Sequence, residues 1–445
     1  MHRHFRSLVL AVSVSLCGAG ALFAQDLMVK APPQRAPIVI QGATVHPVSG
    51  PPIAGGHVVF DAGKLTAVGA GAAPKIAGAT VIDATGKHVY PGLIGANTQT
   101  GLMEIASVRA TLDMAEVNDV TPEVRSAVAV NPDSTLIPVT RANGVLTVGV
   151  LPMGGLIPGR ASVIRMDGWT WEDLAIADDA GLVINWPSMR ISTAWFITTT
   201  PEEQTERMTR SLATIDEAFD AALAYAEAKR ADPSTETNLR WESMRPVLEG
   251  GKPVIVRAQE FEQIESAVSW AVGRGLKIVI LGGRDADLAS DLLKRHDVPV
   301  IIAGTYRMPR REDSPYDSVY TLASALHKAG VRWCMAGEGG DSETPHERNL
   351  PYQAAICVAY GLDRDAALRS VTLSAAELLG VADRLGSLEV GKAATLIVTD
   401  GDPLEITTAV ELAFIDGRTI DLSNKQTDLA EKYREKYRQQ GLLKK

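Results

Sequence analysis

The sequence predicts an α/β protein in which a barrel of parallel βα units lies between two β-rich ends of the chain. Residues 92–385 alternate short apolar runs with amphipathic helical stretches, the pattern of parallel βα units. About 300 residues of this kind suit one barrel with insertions. On both sides of this region, short strand-like runs are separated by glycine and proline.

Both ends of the chain are predicted to form small β-structures. The N-terminal strands are expected at residues 38–45, 57–60, 65–68 and 80–82. The C-terminal strands are expected at residues 395–398, 410–415 and 418–420, with Asp416-Gly417 as a tight hairpin turn. A charged helix is predicted for the tail, residues 426–445.

The second half of the barrel has the clearest pattern. Its strands are predicted at residues 254–256, 278–281, 298–303 and 331–335. A helix is expected over residues 262–272, and Asp285 is predicted to cap a helix that runs to residue 295. The last barrel helix is predicted to begin with a capping box, Ser374 and Glu377, and to end at Gly380.

The first 24 residues are predicted to be a secretory signal peptide. Arg3 and Arg6 precede an apolar run over residues 8–23, and cleavage after Ala21 or Ala24 fits the preference for small residues. We therefore expect a protein that crosses the inner membrane, is periplasmic and has no membrane span.

Composition excludes several classes of protein. The formal net charge of −9 becomes about −11 when the signal peptide, which carries two arginines and no acids, is removed, and this argues against a nucleic-acid partner. A content of 46% hydrophobic and 22% charged residues is that of an ordinary globular protein. Cys334 and Cys357 lie in apolar surroundings, so we expect buried free thiols rather than a disulfide framework.

Four stretches resemble the imidazolonepropionase-like branch of the amidohydrolase superfamily. They are Pro91-Gly92-Leu93-Ile94, residues 141–148, residues 372–392 and Asp400-Gly401-Asp402-Pro403. The resemblance spans most of residues 36–425. It implies a (β/α)8 TIM-like barrel at residues 91–386, with an insertion at about 118–200. It also implies a small composite β-domain formed from both termini, residues 36–90 and 387–425.

The resemblance further implies hydrolysis of non-peptide C–N bonds, in cyclic amides or dipeptide-like substrates, at a metal centre. In such enzymes the ligands are a His-x-His of strand 1, a histidine at the end of each of strands 5 and 6, and an aspartate after strand 8. Some members add a carboxylated lysine on strand 4. The metal makes hydroxide available near neutral pH.

Most of these ligand positions are replaced in this chain. Strand 1 offers Asn97 and Gln99, whose carboxamides are weaker metal ligands than imidazole. Strand 5 ends at Arg257 and strand 6 at Gly282-Gly283, and no lysine lies on the expected strand 4 around residues 197–200. An acid after strand 8 remains, as Asp341 or Glu338.

The histidines of the chain do not restore a metal site. His346 is the one histidine expected near the mouth of the barrel, and one histidine with one aspartate is short of the three protein ligands of a catalytic zinc. The others lie in the signal peptide, the small β-domain or the barrel helices: His2, His4, His46, His57, His88, His296 and His327. The sequence therefore predicts no metal ligands and no cofactor.

Arg257 and Asp341 are the predicted catalytic pair. Our hypothesis is that the guanidinium of Arg257 replaces the charge of the metal and pairs with Asp341 in a geometry that suits arginine. Alternatively, Arg257 points to solvent or pairs with Glu260. The residues predicted to bind a small-molecule ligand are Asn97, Gln99, Gly282 and His346.

Two further groups have both a functional and a structural interpretation. Four tryptophans, Trp169, Trp171, Trp186 and Trp195, could form a stacking surface on a lid or the core of the insertion. Glu104, Asp113 and Glu116 could supply replacement ligands or an acid/base pair, although solvated loop carboxylates are the better-supported interpretation.

Three functions follow from these residues. The leading one is an exported amidohydrolase-fold protein that has lost its metal site and acts as a binding or partner subunit, in a homo-oligomer or beside an intact relative. The first alternative is an active hydrolase that recruits a divalent metal such as zinc through Asp341, His346 and acids such as Glu104. The second is a metal-free enzyme that uses Arg257 and Asp341.

Overall fold

The computed structural model describes residues 26, 28–309, 311 and 314–443. The predicted signal peptide, residues 1–24, lies outside the described residues. Within the described ranges, every helix is too short or too polar to cross a lipid bilayer.

The strands and helices are numbered in chain order. The strands are β1 (Ile38–Val45), β2 (Ile53–Asp61), β3 (Lys64–Ala70), β4 (Thr80–Asp83), β5 (His88–Pro91), β6 (Leu93–Thr98), β7 (Val145–Val150), β8 (Gly159–Arg165), β9 (Ala175–Asn185), β10 (Val254–Ala258), β11 (Ile278–Gly282), β12 (Val300–Ala303), β13 (Trp333–Ala336), β14 (Leu396–Thr399), β15 (Val410–Ile415) and β16 (Arg418–Ile420). The helices are α1 (Leu136–Arg141), α2 (Trp171–Leu174), α3 (Pro201–Ala231), α4 (Leu239–Glu242), α5 (Arg245–Leu248), α6 (Phe261–Gly273), α7 (Ser290–Arg295), α8 (Ser318–Ala329), α9 (Gly340–Glu343), α10 (Leu350–Ala359), α11 (Arg364–Ser370), α12 (Leu373–Leu378) and α13 (Lys425–Gln439). Short 3-10 turns are formed by Arg109–Thr111, Ser126–Ala129 and Thr344–Asn349.

One sheet joins strands from the two ends of the chain. Its order is β16-β15-β14-β5-β1-β2-β3, with β4 paired to β1. The rings of Phe60 and Phe414 pack edge to face with their centroids 5.0 Å apart, so the core of this sheet uses both ends of the chain. Asp416 and Gly417 both have positive φ, as a tight hairpin turn between β15 and β16 requires.

The second sheet is a nearly closed eight-stranded barrel, which agrees with the predicted TIM-like fold. Its order is β6-β7-β8-β9-β10-β11-β12-β13, and β13 packs beside β6 to complete the circle. The interior is filled by small and branched apolar residues such as Ile94, Val183 and Ile255. Helix α12 lies against the same interior cluster and covers part of the amino-terminal end of the barrel.

The barrel departs from a strictly parallel arrangement at β8. This strand is antiparallel to both β7 and β9. The connection from β7 to β8 covers residues 151–158, which is too short for the helical crossover that a parallel pair needs. Residues within the predicted insertion thus supply two barrel strands, β8 and β9.

Three local predictions were wrong. The expected strand near residues 197–200 is a loop, because Thr200 caps α3 through a capping box with Glu203. Asp285 does not cap the helix that follows it: α7 begins only at Ser290, and the carboxylate of Asp285 accepts a hydrogen bond from Phe261 N, at the start of α6. Helix α12 begins without a side-chain cap, and Glu377 pairs with Arg369.

The other strands and helices predicted for the second half of the barrel agree with the structure. Strands β10 to β13 and helix α6 lie where the apolar runs placed them, and Gly380 follows α12 with a φ of +70°.

Cys334 and Cys357 are buried free thiols, and burial raises the pKa of Cys357 to about 12.

Candidate functional site

The side-chain amides of Asn97 and Gln99 are bound to the main chain of neighbouring loops. Asn97 Nδ2 donates to Gly337 O over 3.0 Å, and Gln99 Nε2 donates to Leu151 O over 2.9 Å. Gln99 Oε1 accepts from Gly340 N. Asn97 is 2% and Gln99 0% exposed. The two amides therefore tie the end of β6 to the loops that follow β7 and β13.

The loop after β13 packs directly on these two amides. Gly339 has a φ of +70°, and a Cβ there would lie 2.8 Å from Asn97 Nδ2 and 2.9 Å from Gln99 Oε1. Thr344 Oγ1 adds a hydrogen bond of 3.3 Å to Gln99 Oε1. Because both amides are covered in this way, neither is open to a ligand from the mouth of the barrel.

A buried carboxyl group, Glu347, lies between the first and last barrel strands. We call this place the β6–β13 seam, defined by Gly95, Gly337 and Glu347. A Cβ on Gly95 would lie 2.1 Å from Glu347 Oε1, and one on Gly337 would lie 2.6 Å from Oε2. Glu347 is 3% exposed and its Oε1 has no hydrogen-bond partner, so burial raises its pKa to about 8.

Sequence reasoning missed Glu347. The available signal was the presence of glycines in or beside two buried strands, which indicates a close approach of another group. Asn97 Oδ1 is a second buried acceptor without a partner.

Arg257 lies at the carboxyl end of β10, as predicted, but its guanidinium donates hydrogen bonds to groups other than the expected partner, Asp341. Its Nη1 donates to Pro152 O over 2.9 Å and to Asn185 Oδ1 over 3.0 Å. These acceptors follow β7 and end β9, so the guanidinium joins the end of β10 to the end of β9 and to the loop after β7. Burial lowers the pKa of Arg257 to about 10.

The predicted ion pair between Arg257 and Asp341 is not formed. Asp341 lies exposed in α9, and no ion pair between the two is present in the described part of the chain. The reason is local, because Arg257 is held on the side of β7 and β9 while α9 directs Asp341 to solvent. The alternative acid after strand 8, Glu338, accepts a hydrogen bond of 3.2 Å from Arg284.

Arg307 contributes a second guanidinium near Glu338. Its Nε lies 3.6 Å from Glu338 Oε1, and burial together with the nearby charge of Arg284 lowers the pKa of Arg307 to about 10. The charge of Glu338 is therefore already balanced by arginines. Neither arginine was among the site residues predicted from the sequence.

Gly282 is required by a neighbouring side chain. Its φ is +109°, and a Cβ there would lie 2.2 Å from Gln259 Nε2. The amide of Gln259 thus fills the place at the end of β11 where a larger residue would project.

The remaining candidates are dispersed. His346 is exposed, and its Nδ1 is 3.0 Å from Ser342 O. Glu104 accepts a hydrogen bond of 3.2 Å from Asn131, and burial raises its pKa. Asp113 and Glu116 are exposed. Within the described ranges, no three His, Cys, Asp or Glu side chains are grouped to hold a metal ion. The residues present therefore do not fit the metal centre of the family.

The tryptophans do not form one stacking surface. Trp186 is 5% exposed and packs against Trp270, with ring centroids 5.2 Å apart. Trp195 is 94% exposed and contacts Phe196. The core interpretation therefore holds for Trp186, whereas Trp195 lies at the surface.

Comparisons with known sequences point to one superfamily. The model of the Amidohydrolase family matches residues 276–422. The chain is 24% identical over 372 residues to amidohydrolase tasK of Hapsidospora irregularis, covering 76% of this chain and 37% of that protein. It is 27% identical over 202 residues to the imidazolonepropionase of Maricaulis maris, covering 45% of this chain and 48% of that protein. The chain thus spans less than half the length of these two relatives.

Solved structures share the fold over most of the chain. An amidohydrolase from Thermotoga maritima has 27% sequence identity and a TM-score of 0.76, covering 86% of this chain and 99% of its own. A molinate hydrolase, at 17% identity and a TM-score of 0.53, shows likeness of fold alone. Together with the barrel and the motifs around it, these matches support the resemblance of the chain to the amidohydrolase superfamily and to its imidazolonepropionase-like branch.

Proposed function

We propose that this is an exported amidohydrolase-fold protein that works without the metal of its family, as a binding or partner subunit. Its ligand would be a small molecule, and its assembly a homo-oligomer or a pair with an intact relative. In this proposal the sheet built from both chain ends acts as a small composite domain beside the barrel.

The observation that carries this proposal is the use of the Asn97 and Gln99 amides. Both occupy first-strand ligand positions, both are buried, and the nitrogen of each donates to the main chain, at Gly337 O and Leu151 O. A metal ligand must present a lone pair towards the mouth of the barrel. These amides instead stabilise the closure of the barrel, which is a structural role.

A hydrolase that recruits a new metal is less well supported. It would need Asp341, His346 and Glu104 to converge, and Glu104 is bound to Asn131 while the other two are exposed in and after α9. A catalytic zinc needs about three protein ligands with one open position. No such group exists among the residues that the structure describes.

A metal-free hydrolase based on Arg257 and Asp341 is also less well supported. Proton transfer between a base and its partner needs hydrogen-bond reach, about 3 Å or one bridging water. The guanidinium of Arg257 is instead bound to Pro152 O and Asn185 Oδ1.

The proposal is tested by assaying the purified mature protein against a panel of cyclic amides and dipeptides, with and without added zinc. An intact amidohydrolase, prepared in the same way, is the positive control. We expect no turnover under either condition. Zinc-dependent turnover that is lost in Asp341→Ala would support the metal-recruiting alternative. Turnover that survives chelators and disappears in Arg257→Met would support the metal-free alternative.

A further inference from the structure

We propose that the amino-terminal end of the barrel, opposite the mouth, holds a binding site for an amphipathic monoanion, a molecule with an apolar body and one carboxylate or similar group. The site is a cavity of about 560 Å³. It lies between the loops that precede β10 to β13 and the end of α12. This inference goes beyond the proposed function and does not depend on it.

The volume of the cavity suits a small molecule. Ligand pockets in proteins typically enclose about 300–1,000 Å³, so 560 Å³ lies within that range. By contrast, a cavity near the mouth that is lined by Met114 and Pro152 measures about 20 Å³, which is enough for a water molecule only. Of these two cavities, the one at the amino-terminal end of the barrel is large enough for a small organic ligand.

The floor of the cavity is apolar. Val279, Val298 and Leu379 line it, and each is at most 5% exposed. Val279 and Leu379 belong to the interior cluster of the barrel, and Val298 lies just before β12. Leu379 directly follows α12, so the end of this helix forms part of the floor. Such a floor stabilises an apolar ligand body by roughly 25 cal/mol for each Å² removed from water.

The rim of the cavity is polar and carries a surplus of positive charge. Lys252, Lys277 and Arg332 contribute three cations, against two carboxylates, Asp297 and Glu377. The surplus of one positive charge matches a ligand with one negative charge. It occurs in a chain whose formal net charge is −9, so it is a local property of this face.

The rim charges are not equally available to a ligand. Arg332 is held by Asp297, with Nε and Nη2 each donating to a carboxylate oxygen over 2.9 Å. Glu377 pairs with Arg369 outside the cavity. Lys277 is exposed and has no ion-pair partner in the described part of the chain. The ammonium of Lys277 is therefore the group that we expect to meet the anion.

Lys252 also lines the cavity and supplies a second ammonium. Val254 N donates to Lys277 O over 2.8 Å, so the residues just before β10 and β11 are neighbours. Lys252 Nζ is itself fixed by a hydrogen bond of 2.7 Å to Asp179 O. This bond uses one of its three donors and leaves others for a ligand oxygen.

Titration calorimetry of the mature chain with sodium decanoate tests the inference, with decanol as the uncharged probe. We expect saturable binding of one decanoate per chain, and binding of decanol that is roughly tenfold weaker, since one charge-assisted contact is lost. Lys277→Gln is expected to weaken decanoate binding by about the same factor. The control Lys328→Gln, an exposed lysine of α8 that does not line this cavity, should leave the Kd unchanged.

A second variant tests the position of the site rather than its charge. Val272 lines the cavity and is 41% exposed, so Val272→Trp fills volume without disturbing the buried core, and it should abolish decanoate binding. The inference is overturned if decanoate does not bind saturably or if decanol binds equally well. Binding that is unchanged in both Lys277→Gln and Val272→Trp also overturns it. None of these outcomes bears on whether the protein binds zinc.

Discussion

The carboxyl group of Glu347 lies against Gly95: a Cβ added to Gly95 would stand 2.1 Å from Glu347 Oε1. This contact lies at the β6–β13 seam, where the first and last barrel strands meet. The seam is thus closed by side chains: the carboxyl of Glu347 and the amide of Asn97, which donates to Gly337 O. Asn97, which the resemblance puts at a ligand position of the family, thus takes part in the closure of the barrel.

Glu347→Gln is expected to remove a pH dependence of stability. Burial raises the pKa of this carboxyl from 4.5 to about 8, so between these values the folded chain binds a proton that the unfolded chain has lost. The free energy of unfolding should therefore fall as pH rises from about 4.5 to about 8, by up to about 1.4 kcal/mol per pH unit.

The measurement is urea unfolding of the parent and the variant at several pH values. The stability of the glutamine variant relative to the parent should increase with pH across this window. A relative stability that stays constant with pH would contradict the assignment of a buried, protonated Glu347.

Gly95→Ala is expected to destabilise the fold by about 1–3 kcal/mol, because the added methyl group overlaps a buried carboxyl group that has little room to move. Gly273→Ala, at the end of α6 with open space around it, is the matched control and should change stability by less than about 0.5 kcal/mol. Combining Gly95→Ala with Glu347→Ala should cost less than the sum of the two single changes. Strict additivity in urea unfolding would show that the two residues are not in contact.

Gln99→Glu is expected to destabilise the protein more at pH 8 than at pH 5. An ionised carboxylate cannot donate to Leu151 O, and it would leave two acceptors facing each other, at a cost of about 1–3 kcal/mol. At lower pH, a protonated carboxyl can restore the donor. The check is the difference in unfolding free energy between parent and variant at each pH. An equal difference at both values would mean that the donor to Leu151 O is not needed.

Arg257→Met is expected to cost about 1–3 kcal/mol, because Pro152 O and Asn185 Oδ1 lose their donor. Arg257→Lys should recover only part of this loss, since the lysine side chain is one bond shorter and its ammonium would stop short of the position of Nη1, which donates to both acceptors. Thermal and urea unfolding measure both variants. If Arg257→Met is as stable as the parent, the link from β10 to β9 and to the loop after β7 is unimportant.

The sequence predicted most of the barrel but not its antiparallel strand. Strands β10 to β13 are continuous buried runs bounded by glycine or polar residues, and such runs can be located from local pattern alone. The direction of β8 depends on its pairing with β7 and β9 through short connections, which no local pattern encodes. The strand predicted near residues 197–200 is instead a loop, because the capped helix α3 follows it directly.

The residue types of the candidate site could be predicted from the sequence, but the contacts that these residues make could not. That Asn97, Gln99 and Arg257 stand at the metal-ligand positions of the family is a prediction that the resemblance makes from the sequence. The bond from Asn97 to Gly337 joins residues 240 positions apart, and it exists only because β6 and β13 meet when the barrel closes. The same closure buries Glu347, whose neighbours in sequence give no sign of it.

Metal counting distinguishes a barrel without a metal site from a metal-recruiting hydrolase. The mature protein would be incubated with excess zinc and dialysed, and its bound metal measured by mass spectrometry beside an intact amidohydrolase treated in the same way. A protein without the metal site should retain much less than one zinc per chain. Retention of about one equivalent, lost in Asp341→Ala, would contradict the account, because a catalytic zinc needs about three protein ligands and the described residues provide no such group.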